Sequence, residues 1–123
     1  MNNKINLAEK FDLFKDHWNP RILGELNGQY VKIAKFKDAF VWHKHDHEDE
    51  LFLVIKGTLL IDFREKTVEL NTGEMIIVPK GVEHRPRTNE GEEVQVMLFE
   101  PKNTLNTGDQ SASDFTKENL EKI

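Results

Sequence analysis

Short apolar segments follow one another at close intervals from residue 21 to residue 100, and this pattern restricts the fold more than any other feature. Turn-forming residues separate them, as at Asn27-Gly28 and Asn71-Thr72-Gly73. Connections this short leave no room for the helices that join parallel strands, so the predicted sheet is mainly antiparallel. The predicted strands cover residues 22–26, 29–36, 40–45, 51–55, 58–63, 67–70, 74–78, 83–87 and 93–99. Such a set is typical of a sandwich, a jelly roll or a barrel.

The segment before these strands has helical periodicity. Leu7, Phe11 and Phe14 recur at helical spacing after Asn6, a residue suited to capping a helix. This predicts a short amphipathic helix that ends before Pro20. We therefore expect an N-terminal helical segment over residues 1–20 and a β-barrel over residues 21–100.

The last segment, residues 101–123, is polar. We expect a loop as far as Ala112 and a short helix near residues 114–122, with Phe115 and Leu120 among its anchors. Two interpretations of this tail are open: a loosely docked end, or a lid or dimer arm. The first is favoured at this stage.

Composition excludes several classes of function. Among 123 residues, 17 are lysine or arginine and 22 are aspartate or glutamate, giving a net charge of −5. We therefore expect neither nucleic acid nor an anionic membrane as the main partner, because both need a basic face. There is no cysteine, which excludes disulfides and thiolate metal sites. We expect a cytoplasmic protein, since the N-terminal residues also lack the apolar stretch of a secretory signal.

Three of the five histidines lie within residues 43–47, and they indicate a metal site. On a strand, His43 and His45 point to the same face and can lean toward one ion. Glu50 opens the next strand, where its carboxylate can complete three ligands. His84 supplies a fourth if its strand lies across from the first pair. Three imidazoles and one carboxylate leave two positions open on a six-coordinate ion.

Each of these residues also has a simpler interpretation. A His-x-His pair is as often a solvated strand end as a metal site, and Glu50 could equally be solvated. His47 falls in an acidic turn and is predicted to be a bystander, with orientation of a ligand as the alternative. His17 is predicted to be structural.

The spacing of these residues resembles that of a known family. Two stretches place the histidines and Glu50 at fixed distances from glycine and proline: His43-x-His45-x4-Glu50-x6-Gly57 and Gly73-x5-Pro79-x-Gly81-x2-His84. They resemble, in order, the two conserved motifs of the cupin superfamily. The tail after Glu100 resembles that of small bacterial cupins described as mannose-6-phosphate isomerase-like.

This resemblance implies an all-β fold, an antiparallel jelly-roll β-barrel with short terminal helices. It also implies that His43, His45, Glu50 and His84 bind a divalent metal ion such as manganese, iron, nickel or zinc. Gly57, Gly73, Pro79 and Gly81 would shape turns and perform no chemistry.

The strand at residues 51–55 is apolar on both faces, so its outer face needs a cover. Phe52 and Val54 share a face with Glu50, and Leu51, Leu53 and Ile55 share the other. A second copy of the chain or the chain's own terminal segments could supply the cover, and the resemblance favours a homodimer.

The functional hypothesis is a small cupin that binds a small organic molecule at an open divalent metal, with no assigned reaction. One alternative is a non-catalytic sensor or binding module for a sugar or metabolite. The other is a sugar or sugar-phosphate isomerase, which would need lysine or arginine clustered at the mouth of the barrel. Arg85 and Arg87 do not supply that cluster, because alternation places them on the face opposite His84.

Overall fold

A computed structural model describes residues 3–110 and 113–123 and contains, within these ranges, one short helix and eight strands. The elements are α1 (Leu7–Phe11), β1 (Arg21–Leu26), β2 (Gln29–Lys37), β3 (Glu50–Lys56), β4 (Leu59–Phe63), β5 (Thr67–Leu70), β6 (Met75–Val78), β7 (His84–Arg87) and β8 (Glu93–Pro101). No helix in the described ranges is long and apolar enough to cross a membrane.

Two antiparallel sheets enclose the core. The larger has the strand order β1-β2-β8-β3-β6, and the smaller has the order β5-β4-β7. Buried side chains from both sheets meet between them, including Phe36 and Phe52 of the larger and Leu59 and Ile61 of the smaller. The predicted all-β, antiparallel barrel of jelly-roll type is confirmed.

Strand β3 faces the core with alternate residues, as its sequence predicted. Glu50, Phe52 and Val54 are almost fully buried, at 4%, 2% and 1% exposure. Leu51 and Leu53, on the outer face, are half-buried. The strand therefore delivers a carboxylate to the interior beside apolar side chains.

Helix α1 is shorter than predicted and ends at Phe11 instead of continuing toward Pro20. The Oδ1 of Asn6 accepts the backbone N–H of Glu9 at 3.0 Å, which confirms the predicted cap. Phe11 packs in a cluster with Ile33 that is separate from the inner core, whereas Trp18 stacks on Phe36 inside the core. The chain bends between these two positions, because Trp18 has to enter the core that α1 does not reach.

The predicted strand at residues 40–45 is wrong. This segment makes one isolated bridge, His43 with His84, and Ala39 just before it makes another with Arg87. The Lys44 N–H donates to the side chain of Asp109 at 2.9 Å, and the Lys44 carbonyl accepts the Asp109 N–H at 3.0 Å. The tail therefore satisfies backbone groups that a regular ladder would have used, a long-range contact that periodicity does not reveal.

The tail is bound to the barrel through defined contacts, so the expectation of a loosely docked end is wrong. The helix predicted near residues 114–122 does not form, since residues 113–123 contain turns, bends and one isolated bridge. The Ile22 N–H donates to the Glu121 carbonyl at 2.9 Å, and the Ile123 N–H donates to the Ile22 carbonyl at 3.1 Å. Pairing with β1 therefore fixes the end of this segment, around Lys122. The predicted end of the loop at Ala112 lies outside the described residues.

Candidate metal centre

Three separate parts of the chain bring the four predicted ligands together. His43 and His45 lie on the irregular segment before β3, Glu50 begins β3, and His84 begins β7. All four are buried, with exposure between 0% and 4%. One candidate ligand atom from each lies within 4.8 Å of those of the other three. The predicted convergence of these side chains is therefore present in the fold.

Backbone hydrogen bonds fix His84 beside His43. The His43 N–H donates to the His84 carbonyl at 3.0 Å, and the His84 N–H donates to the His43 carbonyl at 2.8 Å. Their ring centroids lie 4.4 Å apart. The Gly81 N–H donates to the His45 carbonyl at 2.8 Å, so the turn after Pro79 is also bound to the histidine segment.

The tautomers of two rings follow from their neighbours. The Nδ1 atoms of His43 and His84 each lie 2.9 Å from the carbonyl two residues before, those of Val41 and Val82. A carbonyl only accepts, so Nδ1 carries the proton and the lone pair of a neutral ring is on Nε2. The Nε2 of His84 is buried and has no hydrogen-bond partner among residues 3–110 and 113–123. This is the arrangement that a metal-ligating imidazole needs.

Glu50 is the only carboxylate among the four. Its Oε1 lies 3.1 Å from His45 Nε2 and 3.4 Å from His84 Nε2. Burial would raise the pKa of Glu50, but the contacts with His45 and His84 outweigh it and hold that pKa well below its usual range. These contacts favour the ionised form of Glu50.

The pKa values of His43 and His45 differ in direction. Burial, followed by the proximity of His84, lowers the pKa of His43 to about 4. Burial also acts against protonation of His45, but its hydrogen bond with Glu50 and the charge of that carboxylate raise the pKa of His45. His43 is thus the better-prepared neutral nitrogen donor of the two.

The size of the cluster fits a divalent cation after a small contraction. Two donors bound at ~2.1 Å to one ion are at most ~4.2 Å apart. The donors here lie within 4.8 Å of one another, so a pair at that limit has to close by at least about 0.6 Å to share one ion. The buried cluster is therefore compatible with a divalent metal.

An apolar cavity adjoins the cluster. Its volume is small, about 20 Å³, which is room for about one water molecule, so a larger molecule needs its walls to move apart. His43, Glu50 and Glu100 line it together with a mostly apolar wall that includes Trp18, Phe40 and Leu98. The polar groups border an otherwise water-poor space, which strengthens electrostatic interactions inside it.

Sequence analysis missed Glu100 and its partner Lys32. The Nζ of Lys32 donates to Glu100 Oε1 at 2.8 Å, and both residues are 1% exposed. Burial, with the charge of Glu50 next, raises the pKa of Glu100 well above its usual range. Alternation could have found Glu100, because it falls in register with the inward-facing Val96 and Leu98 of β8.

The remaining predicted residues lie outside the cluster. His47 is exposed in the turn before β3, and His17 pairs with Glu93 at 2.7 Å. Arg85 and Arg87 face away from His84, and both donate to Asp62 Oδ2, at 2.8 Å and 2.7 Å. Their predicted direction is confirmed.

Comparison with known proteins identifies the family. Residues 29–100 match the family model described as a cupin domain. The chain belongs to the cupin family. This matched region contains all four clustered residues, so a cupin fold with a histidine and glutamate cluster that could hold a metal is established for this chain.

Several relatives of this cupin can be compared directly. A cupin-2 domain protein from Shewanella frigidimarina has a TM-score of 0.77 and 46% identity, covering 80% of this chain and 94% of that one. Protein NMB1881 from Neisseria meningitidis has a TM-score of 0.72 and 29% identity, covering 81% and 100%. The uncharacterized protein YdbB of Bacillus subtilis is 42% identical over 67 residues, 54% of this chain; the match spans only 59% of that curated relative.

Proposed function

We propose that this cupin binds one divalent metal ion through His43, His45, Glu50 and His84, and that a small organic molecule binds at the open positions of the ion. Mixed nitrogen and oxygen donors suit manganese, iron, nickel or zinc. Such an ion, when bound, supplies a Lewis acid to an oxygen of the bound molecule. The observation that carries the proposal is the buried, unpartnered Nε2 of His84 among the other donors in the described chain.

The residues around the ion would have distinct tasks. The Val41 and Val82 carbonyls hold the rings of His43 and His84 in the tautomer that ligates. Glu50 contributes the negative charge that offsets part of the ion's charge. The apolar wall of the cavity would exclude water and bind the apolar part of the small molecule.

The apolar lining also supports a second candidate, a non-catalytic sensor or binding module for a metabolite or sugar. The isomerase alternative gains no support, since among the described residues no lysine or arginine lines this cavity. Cytoplasmic location and the absence of nucleic-acid and membrane partners stay predictions.

Metal addition tests the proposal. After removal of bound metal with a chelator, we expect titration calorimetry to give one equivalent of manganese, iron, nickel or zinc bound per chain. At a free concentration about 100 times the Kd, the melting temperature should rise by about 10 °C, because the ion binds only the folded chain. Substoichiometric binding of all four metals, with no change in melting temperature, would contradict the site.

We also propose a homodimer formed through the outer face of the larger sheet. Its edge strand β6 exposes Met75 and Ile77 by 50% and 55%, and both pair in register with β3, Met75 with Leu53 and Ile77 with Leu51. Phe11 of α1 and Phe14 cover a different part of this face, around Ile33. Trp42 does not belong to this face, because its ring packs under Arg64, 3.9 Å away in the turn after β4.

A double substitution on β6 tests the dimer. The variant Met75→Glu/Ile77→Glu should be monomeric by light scattering, because charge in a desolvated apolar contact is costly. Leu13→Glu is the matched control, because Leu13 is 65% exposed and lies outside β6. This variant should still have the mass of a dimer. A monomeric wild-type protein would refute the interface.

A further inference from the structure

Glu100 carries one buried oxygen atom that the described fold does not use. Its Oε1 accepts from Lys32, whereas Oε2 makes no hydrogen bond of ordinary geometry with any residue in the described ranges, although the nearby Glu50 carboxyl group helps to raise the pKa of Glu100. The residue is 1% exposed, so bulk solvent does not reach this atom. Buried polar atoms without a partner are rare in folded proteins and call for an explanation.

Lys32 holds the carboxyl group of Glu100 in place. The side chain of Lys32 is itself 1% exposed, and its Nζ lies 2.8 Å from Glu100 Oε1. A buried ion pair is costly to form unless its remaining polar atoms are also satisfied. A molecule that enters from outside could satisfy Oε2. It would need a group that forms a hydrogen bond with this oxygen.

Such a molecule would bind in the cavity that Glu100 lines. Glu100, Glu50 and His43 line the same cavity, and Phe36, Phe52 and Leu98 are among its apolar neighbours. The polar groups of the cavity therefore include both the candidate metal centre and a second hydrogen-bonding position. A molecule that uses both must carry two neighbouring oxygen functions and an apolar remainder.

We propose, on the basis of the metal-binding function above, that Glu100 Oε2 is the second attachment point for the small molecule and selects for a hydroxyl group next to the oxygen that binds the metal. Small 2-hydroxy acids and hydroxy ketones have this pattern. A hydroxyl group suits the position because it can both donate and accept, and so can pair with a carboxyl group in either protonation state. Glu100 is then a specificity-determining residue.

Lactate and propanoate test this assignment, because they differ by one hydroxyl group. We expect zinc-loaded wild-type protein to bind racemic lactate about tenfold more tightly than propanoate, measured by ligand-observed NMR titration. In Glu100→Leu the preference should fall to less than about twofold, while the zinc content stays at the wild-type level.

Two further variants separate specificity from folding. Lys32→Met/Glu100→Leu removes the carboxyl group without leaving a buried unpaired lysine, and should show the same loss of preference. Lys35→Met is the control for loss of a buried lysine on the same strand. Lys35 donates to the Phe14 carbonyl at 2.6 Å and does not contact Glu100. This variant should keep the lactate preference.

The outcomes distinguish the two proposals. A wild-type protein that binds no zinc overturns both the metal site and the assignment of Glu100. If zinc binds to every variant but the lactate preference persists without Glu100, the preference comes from chelation of the metal and the assignment is wrong. Zinc binding without any lactate binding to the wild type also overturns it.

Discussion

Replacing His84 with alanine should remove most of the metal from the purified protein. The ring is fully buried, its Nε2 faces the other donors, and its Nδ1 is already committed to the Val82 carbonyl. Loss of one of four donors should lower metal affinity by more than about 100-fold, since even changes to groups that only orient ligands cost 10- to 100-fold. Elemental analysis after dialysis against trace metal measures the effect, from about one equivalent to nearly none.

His47→Ala is the matched control for this experiment. His47 lies only two residues from His45, but it is exposed and is not among the four clustered residues. Its variant should keep the wild-type metal content. Because truncating a buried ring also leaves a cavity, His84→Gln is the second variant, which preserves more of the volume. Equal metal content in wild type and both His84 variants would refute the site.

Gly108→Ala should be the most destabilising single change in the tail. A Cβ atom built on Gly108 would lie 2.1 Å from the Lys44 carbonyl oxygen and 3.2 Å from the His43 ring. The residue also has a φ of 54°, in the left-handed region that costs alanine about 1–2 kcal/mol. With the overlap added, we expect the free energy of unfolding to fall by about 3 kcal/mol or more.

The same substitution should weaken metal binding, because the tail would have to move away from the segment that carries His43 and His45. Urea denaturation and metal titration of the same sample measure the two effects. Gly24→Ala is the control, since a Cβ there has nothing within 4 Å. Wild-type stability of Gly108→Ala would show that the tail does not pack against Lys44 as described.

Local patterns predicted most of the strands and the convergence of the four clustered residues. The turns at Asn27-Gly28 and Asn71-Thr72-Gly73 both appear where expected. His43 and His84 were predicted to lie across from each other, and they exchange two backbone hydrogen bonds. Their role as metal ligands stays a prediction, because proximity shows only that a metal could bind.

The wrong secondary-structure predictions concern segments whose structure depends on contacts with distant parts of the chain. The segment at residues 40–45 alternates like a strand, but Asp109 takes the backbone groups of Lys44. The tail residues near 114–122 have helical spacing, but they form turns and bends, and the end of this segment pairs with β1 at Ile22. A helix of that length gains little from its own hydrogen bonds, so a tertiary contact outweighs the local preference.

Lys32 and Glu100 illustrate a different limit. Each sits at a core-facing position of its strand, where a charged residue contradicts the apolar pattern. Pattern analysis treats such residues as exceptions and assigns them no partner. Only the pairing of β2 with β8, which brings the two strands side by side, shows that these two side chains hydrogen-bond to each other.

Two of the four clustered side chains come from different sheets, Glu50 from the larger and His84 from the smaller. An ion held by them would act as a cross-link between the two halves of the barrel, in addition to any chemistry it supports. Loss of the ion would then loosen the whole domain, and the survival of the folded chain against proteases would depend on the metal supply of its surroundings.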